Sequence, residues 1–381
     1  MIFLASDVKS LLDYSMEEDT KYWVCLNLVF AEYLKEIKSI VENFPTVKDI
    51  FKARQSQIIA LGVDKERAKT LLSSRMLDKA CREIEQLSKK NYNILTIEDD
   101  NYPEHLREIF DPPIVLYYAG DVKLFKSPAV AIVGARKTTP YGRAVAEKLS
   151  ADLAECGLTV ISGMARGIDS LAHWGALKGG KTLAVLGSGL GNIYPRENKK
   201  LFEKIIETGV VVTEYSLKTD PLGYHFPLRN RIISGLAIAL VVIEAAKKSG
   251  SLISARLALE QNREVMAVPG NITSELSWGT NWLIKTGAKP VTDWEDVIEG
   301  LPLYVKEKIL VHKPEKTEKG LHLNGQEKKI YDLLKPDSMI HIDEIVERSG
   351  LSVSEVLSHL LKLELNGMIA QSPGKYFQRK L

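Results

Sequence analysis

The sequence has few of the residues that mark disulfide-rich, metal-binding or membrane proteins. Its three cysteines, Cys25, Cys81 and Cys156, lie far apart and form no C-x-x-C pair, which excludes a compact disulfide framework and a cysteine zinc site. The seven histidines have no H-E-x-x-H or similar metal spacing, no apolar run approaches the length of a membrane span, and the first residues lack the basic segment of a secretory signal. We therefore expect a cytoplasmic protein with no metal, no other cofactor and no membrane contact.

A strong net charge is also absent. Lys and Arg total 51 against 49 Asp and Glu, a net charge of +2, so no overall field points to nucleic acid. Any nucleic-acid site in this chain must therefore be a local basic patch. The 381 residues are 45% hydrophobic and 26% charged, which is ordinary for a globular protein and enough for two or three domains.

Residues 1–110 are predicted to form a helical N-terminal domain. Residues 58–64 predict the end of one helix, a turn at Gly62 and the cap of a new helix at Asp64, which we expect to continue over Lys65–Leu87. Such a pair resembles a SAM-like or helix-hairpin-helix module, which in some proteins contacts the DNA backbone. The acid excess of residues 1–127, with 18 Lys and Arg against 21 Asp and Glu, favours a helical packing domain instead.

Residues 111–300 predict an α/β domain. Six short runs rich in Val, Ile and Leu alternate with helical patterns, which is typical of parallel strands buried on both faces of a doubly wound, mostly parallel sheet. The runs are Ala129–Val133, Leu158–Ile161, Thr182–Leu186, Val210–Thr213, Ala237–Ile243 and Val265–Val268. In such sheets a ligand binds beyond the carboxyl ends of the strands.

The last part of the chain predicts a linker and a small third domain. Residues 301–320 are rich in Lys and Glu and broken by proline, so we interpret them as a linker. Within residues 321–381, three short helices followed by a hairpin predict a winged-helix domain. Its third helix, at residues 352–366, is not notably basic, which leaves two alternatives: a protein-contact module or weak DNA binding.

Glycine-bearing loops with basic residues follow the predicted strands. The first is Gly134-Ala135-Arg136-Lys137, the second includes Ser162, Gly163, Arg166 and Gly167, a third runs from Gly187 to Gly191, and Lys247 stands in a further turn after the strand that ends at Ile243. Glycine lets a ligand approach the backbone, and an arginine fork fits a phosphate. Together these loops predict a phosphate-binding rim.

A further basic segment opens a predicted helix. Phe226 precedes Arg229, Asn230 and Arg231, and no acidic residue lies between them. A helix N-terminus favours anions, and an exposed ring can stack on a base. This segment therefore predicts a ligand that carries both phosphate and base.

Two enzyme signatures fail on inspection. The segment Gly175–Thr182 matches the P-loop pattern, but a helical stretch precedes it and a predicted strand follows, which is the reverse of a P-loop. Ser162 does not stand in a G-x-S-x-G elbow, and nothing places His173 beside it. We therefore expect no catalytic residues and a protein that is not an enzyme.

The motif order resembles the DprA (Smf) family of bacterial DNA-processing proteins. The resemblance rests on GAR, SGMARGID, GLGNIYPRENK, FPLRNRIISGL, EAAKKSGSLISA, AVPG and GTNWLIKTGA between about residues 100 and 300. It implies an extended Rossmann fold that binds single-stranded DNA, with Arg136 on a phosphate and Phe226 on a base. It also implies a homodimer that loads the recombinase RecA onto DNA covered by single-strand binding protein during natural transformation. Where some members carry a lysine upstream of the ring, this chain has Gly223-Tyr224-His225.

A competing interpretation comes from the same branch of Rossmann folds. The lysine-decarboxylase-like nucleotide phosphoribohydrolases resemble this domain but carry a PGGxGTxxE-type motif. Residues 248–255 of this chain lack that arrangement. A nucleotide-binding enzyme or sensor therefore remains the alternative to a single-stranded DNA-binding protein.

Overall fold

The computed structural model describes residues 19–309, 323–336 and 338–379. At its centre is a nine-stranded sheet in the order β1-β2-β6-β5-β4-β3-β7-β8-β9, in which β1–β2 and β2–β6 pair antiparallel and the remaining neighbours pair parallel. The strands are β1 (Asn93–Thr96), β2 (Val115–Gly120), β3 (Ala129–Val133), β4 (Thr159–Ser162), β5 (Thr182–Val185), β6 (Val210–Thr213), β7 (Ala239–Val242), β8 (Glu264–Ala267) and β9 (Lys289–Pro290).

The fold confirms the predicted doubly wound α/β architecture. Strands β3 to β7 are buried along their whole length, as their uninterrupted apolar sequences require when helices cover both faces. One face packs against α8 (Pro140–Glu155) and α9 (Ile168–Gly179), and the other against α11 (His225–Leu236) and α12 (Gly250–Glu260). The remaining helices of this domain are α7 (Glu104–Arg107), α10 (Lys199–Thr208), α13 (Trp278–Lys285), α14 (Trp294–Gly300) and α15 (Leu303–Ile309).

Both ends of this domain extend beyond the boundaries predicted at residues 111 and 300. Strand β1 pairs with β2 and so belongs to the sheet, although it precedes residue 111. Helix α15 buries Val305 and Ile309 in the core of the same domain, so residues 303–309 are not linker. The rest of the predicted linker, residues 310–320, lies outside the described residues.

The N-terminal region is helical from residue 19 to residue 88, in agreement with the sequence pattern. Its helices are α1 (19–30), α2 (Leu34–Asn43), α3 (Val47–Lys52), α4 (Gln55–Ala60), α5 (Lys65–Leu71) and α6 (Ser74–Ser88). The Asp64 side chain caps α5 by accepting from the backbone of Glu66 and Arg67, as predicted. The continuous helix expected over Lys65–Leu87 is wrong, because the chain breaks at Leu72–Ser73 between α5 and α6.

The C-terminal domain confirms the predicted winged helix. It comprises α16 (Gly325–Leu333), β10 (Ile340–His341), α17 (Ile342–Ser349), α18 (Val353–Leu365), β11 (Ile369–Ser372) and β12 (Tyr376–Arg379). The short strand β10 was not predicted from the sequence and joins the hairpin through β12. No helix within the described ranges is long and apolar enough to cross a membrane.

The segment that matches a P-loop has the inverted order expected from the sequence. Helix α9 ends at Gly179 and β5 begins at Thr182, so the match spans a helix-to-strand turn rather than a strand-to-helix loop. Lys181 lies in that turn, 3.6 Å from the Asp121 carboxylate.

Candidate functional site

A cavity of about 450 Å³ opens at the carboxyl ends of β3 and β7. These strands are neighbours in the sheet, but the chain leaves β3 toward β4 on one side and reaches β8 from β7 on the other. Their connecting loops therefore diverge and leave a crevice, as expected where the strand order of a doubly wound sheet reverses. The lining includes four cationic side chains and one carboxylate, from Arg136, Lys137, Arg229, Lys248 and Asp169.

The first predicted loop forms one wall of this cavity. Gly134, Ala135, Arg136 and Lys137 all line it, and the side chains of Arg136 and Lys137 are exposed. The Arg136 guanidinium carbon lies 5.5 Å from the centre of the Phe226 ring. The carboxyl end of β3 therefore presents an exposed arginine and an exposed lysine beside an aromatic ring.

The second loop supports the cavity from behind and does not line it at the predicted residues. The buried Ser162 hydroxyl donates to the Ile132 carbonyl over 2.6 Å, and the Gly163 carbonyl accepts from Arg229. Gly167 has φ +79°, and a Cβ there would lie 2.3 Å from the Ala135 carbonyl oxygen, so only glycine lets the two loops approach so closely. Arg166 is exposed outside the cavity and pairs with Glu197 at 2.8 Å.

Helix α11 begins at His225, which confirms the predicted helix start, and Phe226 lies in its first turn. Phe226 is half-buried and lines the cavity, as do Arg229 and Asn230 one turn later. Beneath the ring lies Gly187, where a Cβ would come within 2.9 Å of the Phe226 Cδ1 atom. The loop Gly187–Gly191 thus supports Phe226 rather than forming part of the cavity lining.

Arg229 and Arg231 occupy different environments. Arg229 reaches the cavity but is only 3% exposed, and it donates to the carbonyls of Gly163, at 2.8 Å, and of Val185. Burial lowers the pKa of Arg229 to about 10, so it remains charged at neutral pH. Arg229 therefore fixes the loops and adds positive charge to the cavity.

Arg231 does not reach the cavity. Its guanidinium is 3% exposed and pairs with Glu214 at 2.5 Å and with Asp111 at 3.4 Å. These carboxylates compensate its charge, so the predicted phosphate contact at Arg231 has no support in the structure. Helical geometry could have indicated this from the sequence. Arg229 and Arg231 are two residues apart and so are separated by about 200° around the helix axis, whereas Phe226, Arg229 and Asn230 share one face.

The loop after β7 contributes a different lysine from the one predicted. Lys248 lines the cavity, whereas Lys247 lies 5.5 Å from the centre of the Trp278 ring, outside it. Ser249 caps α12 by accepting from the Ser251 amide, and Gly250 and Ser251 line the cavity. The N-terminal turns of α11 and α12 therefore both face the cavity, which favours an anionic ligand.

Buried titratable groups lie behind the loops. Burial raises the pKa of Asp169, while Arg229 and Arg136 act in the opposite direction. Burial also lowers the pKa of His173 to about 3, so this imidazole is neutral at neutral pH. Its Nδ1 atom lies 2.7 Å from the Thr182 hydroxyl, and Ser162 bonds elsewhere, so the two do not form a nucleophile–base pair.

The third helix of the winged-helix domain exposes apolar rather than basic side chains. Val353, Leu357 and Leu361, at helical spacing on α18, are 54%, 44% and 58% exposed. The sole lysine of this helix, Lys362, pairs with Glu327 at 2.5 Å. Of the two alternatives left by the sequence, this surface favours a protein contact over a helix that reads DNA.

Comparison with known proteins identifies the family. The family described as DNA recombination-mediator protein A matches residues 93–302, and the DprA winged helix domain matches residues 314–375. Protein Smf of Escherichia coli strain K12 is 36% identical over 373 residues, which cover 94% of this chain and 95% of that protein. DNA processing protein DprA of Streptococcus pneumoniae is 47% identical over 204 residues, 53% of this chain and 72% of that protein.

Two solved structures are also similar. DNA processing protein A from Streptococcus pneumoniae superposes with a TM-score of 0.63 at 36% identity, over 74% of this chain and 98% of that chain. DNA processing protein A from Helicobacter pylori superposes with a TM-score of 0.51 at 31% identity, over 58% of this chain and 97% of that chain. That structure was described for its single-stranded DNA binding mode. The present chain belongs to the DNA recombination-mediator protein A family, the DprA/Smf family that its motifs resemble.

Proposed function

We propose that this member of the family binds single-stranded DNA in the cavity between β3 and β7. The observation that carries the proposal is the combination of exposed cationic side chains with a half-buried aromatic ring at the carboxyl ends of these strands. Arg136, Lys137 and Lys248 supply the positive charge, and Phe226 supplies the ring. The relative from Helicobacter pylori, which binds single-stranded DNA, supports the same ligand class for this chain.

The cavity fits an unpaired strand better than a duplex. A base can stack on Phe226 only if its face is free, and in a duplex that face is covered by the neighbouring base pairs. Stacking tolerates every base, and phosphate contacts carry no sequence information. We therefore infer binding without sequence preference.

We further propose that the chain holds a strand and hands it over, without chemical catalysis. In this proposal the strand enters during DNA uptake and transformation, and the protein displaces single-strand binding protein and loads RecA. Ser162 and His173 do not line the cavity, and each forms its hydrogen bond with another residue, Ser162 with Ile132 and His173 with Thr182. This supports a role in holding the strand rather than in catalysis. The exposed apolar stripe on α18 supports a protein contact in this hand-over.

A binding comparison tests the proposed ligand class. Fluorescence anisotropy would measure the affinity for oligo-dT, for a duplex of equal length and for a mononucleotide, each over a salt series. We expect oligo-dT to bind most tightly, with an affinity that falls as salt rises. Preference for the mononucleotide, or release of free base from it, would contradict the proposal and support the nucleotide-binding enzyme or sensor.

Arg136→Ala is expected to weaken oligo-dT binding and to flatten its salt dependence. Losing one phosphate contact on a single strand lowers the slope of log K against log salt by about 0.7. The slope is measured from the same salt series for the wild type and the variant. Lys123→Ala, which removes an exposed cation after β2, is the matched control and should keep the wild-type slope. An equal loss of slope in both variants would contradict a local site at Arg136.

We also propose a homodimer, so that one strand reaches two cavities. Linked sites raise the apparent affinity once the ligand spans both. Dissociation constants for dT oligonucleotides of increasing length should therefore fall steeply beyond one threshold length. Light scattering would give the oligomeric state of the same samples. A monomer whose affinity rises only gradually with length would contradict the homodimer but leave the cavity assignment intact.

A further inference from the structure

A second aromatic ring lies next to Phe226, outside the cavity. Tyr194, between β5 and α10, is 40% exposed, and its ring centre lies 5.6 Å from that of Phe226 with 49° between the planes. The exposed part of this ring is therefore accessible to a ligand that leaves the cavity past Phe226. Neither the predicted site residues nor the cavity lining includes Tyr194.

The segment that carries Tyr194 is held in place by hydrogen bonds on both sides. Before the ring, the Asn192 amide donates to Asp220 over 2.6 Å. After the ring, the buried Asn198 amide donates to the Met164 carbonyl and to the Ser170 hydroxyl, both over 2.8 Å. The segment that carries Tyr194 is therefore anchored on both sides, so little backbone entropy is lost when a ligand stacks on the ring.

Arg166 interacts electrostatically with Tyr194, and Arg196 follows Tyr194 by two residues in the chain. Arg166 and Arg196 are both exposed, and Arg166 pairs with Glu197 through two hydrogen bonds of 2.8 and 2.9 Å. Exposed ion pairs contribute little to stability, so a phosphate can compete with Glu197 for Arg166. The surface beside Tyr194 thus repeats the ring-and-arginine combination of the cavity.

The two rings are too close and too tilted to hold one base between them. A sandwiched base needs parallel planes about 7 Å apart, twice the optimal carbon–carbon contact of about 3.5 Å. At 5.6 Å and 49°, each ring can offer a face only to a different base. The strand must therefore change direction between the two bases.

We propose that Tyr194 is a second base-stacking site and that Arg166 binds the adjoining phosphate. This inference rests on the proposed function and defines the path of the strand out of the cavity. The strand passes from Lys248 and Arg136, over Phe226, to Tyr194. Two successive stacking sites joined by a bend bind an unpaired, flexible strand and reject a stiff duplex.

Tyr194→Ala tests this path, with Tyr194→Phe as the conservative variant and Tyr304→Ala as the control. Tyr304 is a similarly exposed tyrosine, at 50%, on α15 and does not line the cavity. Tyr194→Ala should weaken binding of long dT oligonucleotides by about 5-fold or more, since stacking contributes roughly 1–3 kcal/mol per base and 1.4 kcal/mol corresponds to tenfold. The salt slope should not change, whereas Arg166→Ala should lower it by about 0.7.

Oligonucleotide length separates the two stacking sites. The Tyr194→Ala loss should vanish for the shortest oligonucleotide that still binds, whereas a Phe226→Ala loss should persist at every length. Wild-type affinity at every length for Tyr194→Ala, or a loss in Tyr194→Phe as large as in Tyr194→Ala, would overturn stacking at Tyr194. Wild-type protein that does not bind oligo-dT would overturn the proposed function itself, which distinguishes the two failures.

Discussion

Arg231→Ala is expected to destabilise the sheet domain by about 3–5 kcal/mol, because it leaves the buried carboxylate of Glu214 without its partner. Glu214 is 3% exposed and lies 2.5 Å from the Arg231 guanidinium, so water cannot replace the lost charge. Urea unfolding followed by circular dichroism would show the loss as a lower midpoint. A midpoint within experimental error of the wild type would contradict the buried pair.

A double variant separates this structural role from a role in DNA binding. Arg231→Met with Glu214→Gln removes the two fully buried charges and leaves only Asp111, whose side chain is 27% exposed and so is solvated. The double variant should recover much of the stability, since neutral, well-packed replacements of buried ion pairs are often tolerated. The folded double variant should bind oligo-dT with the wild-type salt slope. A slope lower by about 0.7 would show that Arg231 does contact a phosphate.

Phe226→Ala is expected to weaken oligo-dT binding by about 1–3 kcal/mol, which is roughly 5- to 150-fold in Kd. The ring is half-buried, lines the cavity and has Arg136 and Arg229 within 5.5 and 6.0 Å of its centre, so a base stacked there also meets positive charge. The salt slope should stay close to the wild-type value because no phosphate contact is lost. Anisotropy titrations at several salt concentrations measure both quantities.

Two controls sharpen the test at Phe226. Phe226→Trp keeps an aromatic face and should retain most of the affinity, although its larger ring must fit above Gly187. Phe44→Ala removes a partly buried ring of the N-terminal helical region that does not line the cavity, and it should not change DNA affinity. A loss of affinity in Phe44→Ala equal to that in Phe226→Ala would indicate a general effect on folding rather than stacking.

Local sequence patterns predicted most of the fold. The apolar runs gave the bounds of β3 and β6 to the residue, and the third helix predicted for the winged-helix domain, at residues 352–366, matches α18 to within one residue at each end. Strands buried on both faces need continuous apolar residues and helices need periodic ones, so these elements are encoded by neighbouring residues. The strands β1, β9 and β10 were missed because they are short or lie at sheet edges, where pairing with a distant strand decides the conformation.

The sequence by itself determined the type of site: glycine loops at strand ends, an arginine at position 136, and a ring at the start of a helix. It also determined the family, through motifs that stay in order along the chain. Tertiary structure alone decided which cations face the ligand. Arg231 is neutralised by Glu214 and Asp111 from other parts of the chain, and the turn before α12 directs Lys248 rather than Lys247 into the cavity. The physical reason is that the charge available at a site depends on burial and on compensating groups, and both come from residues brought together only by folding.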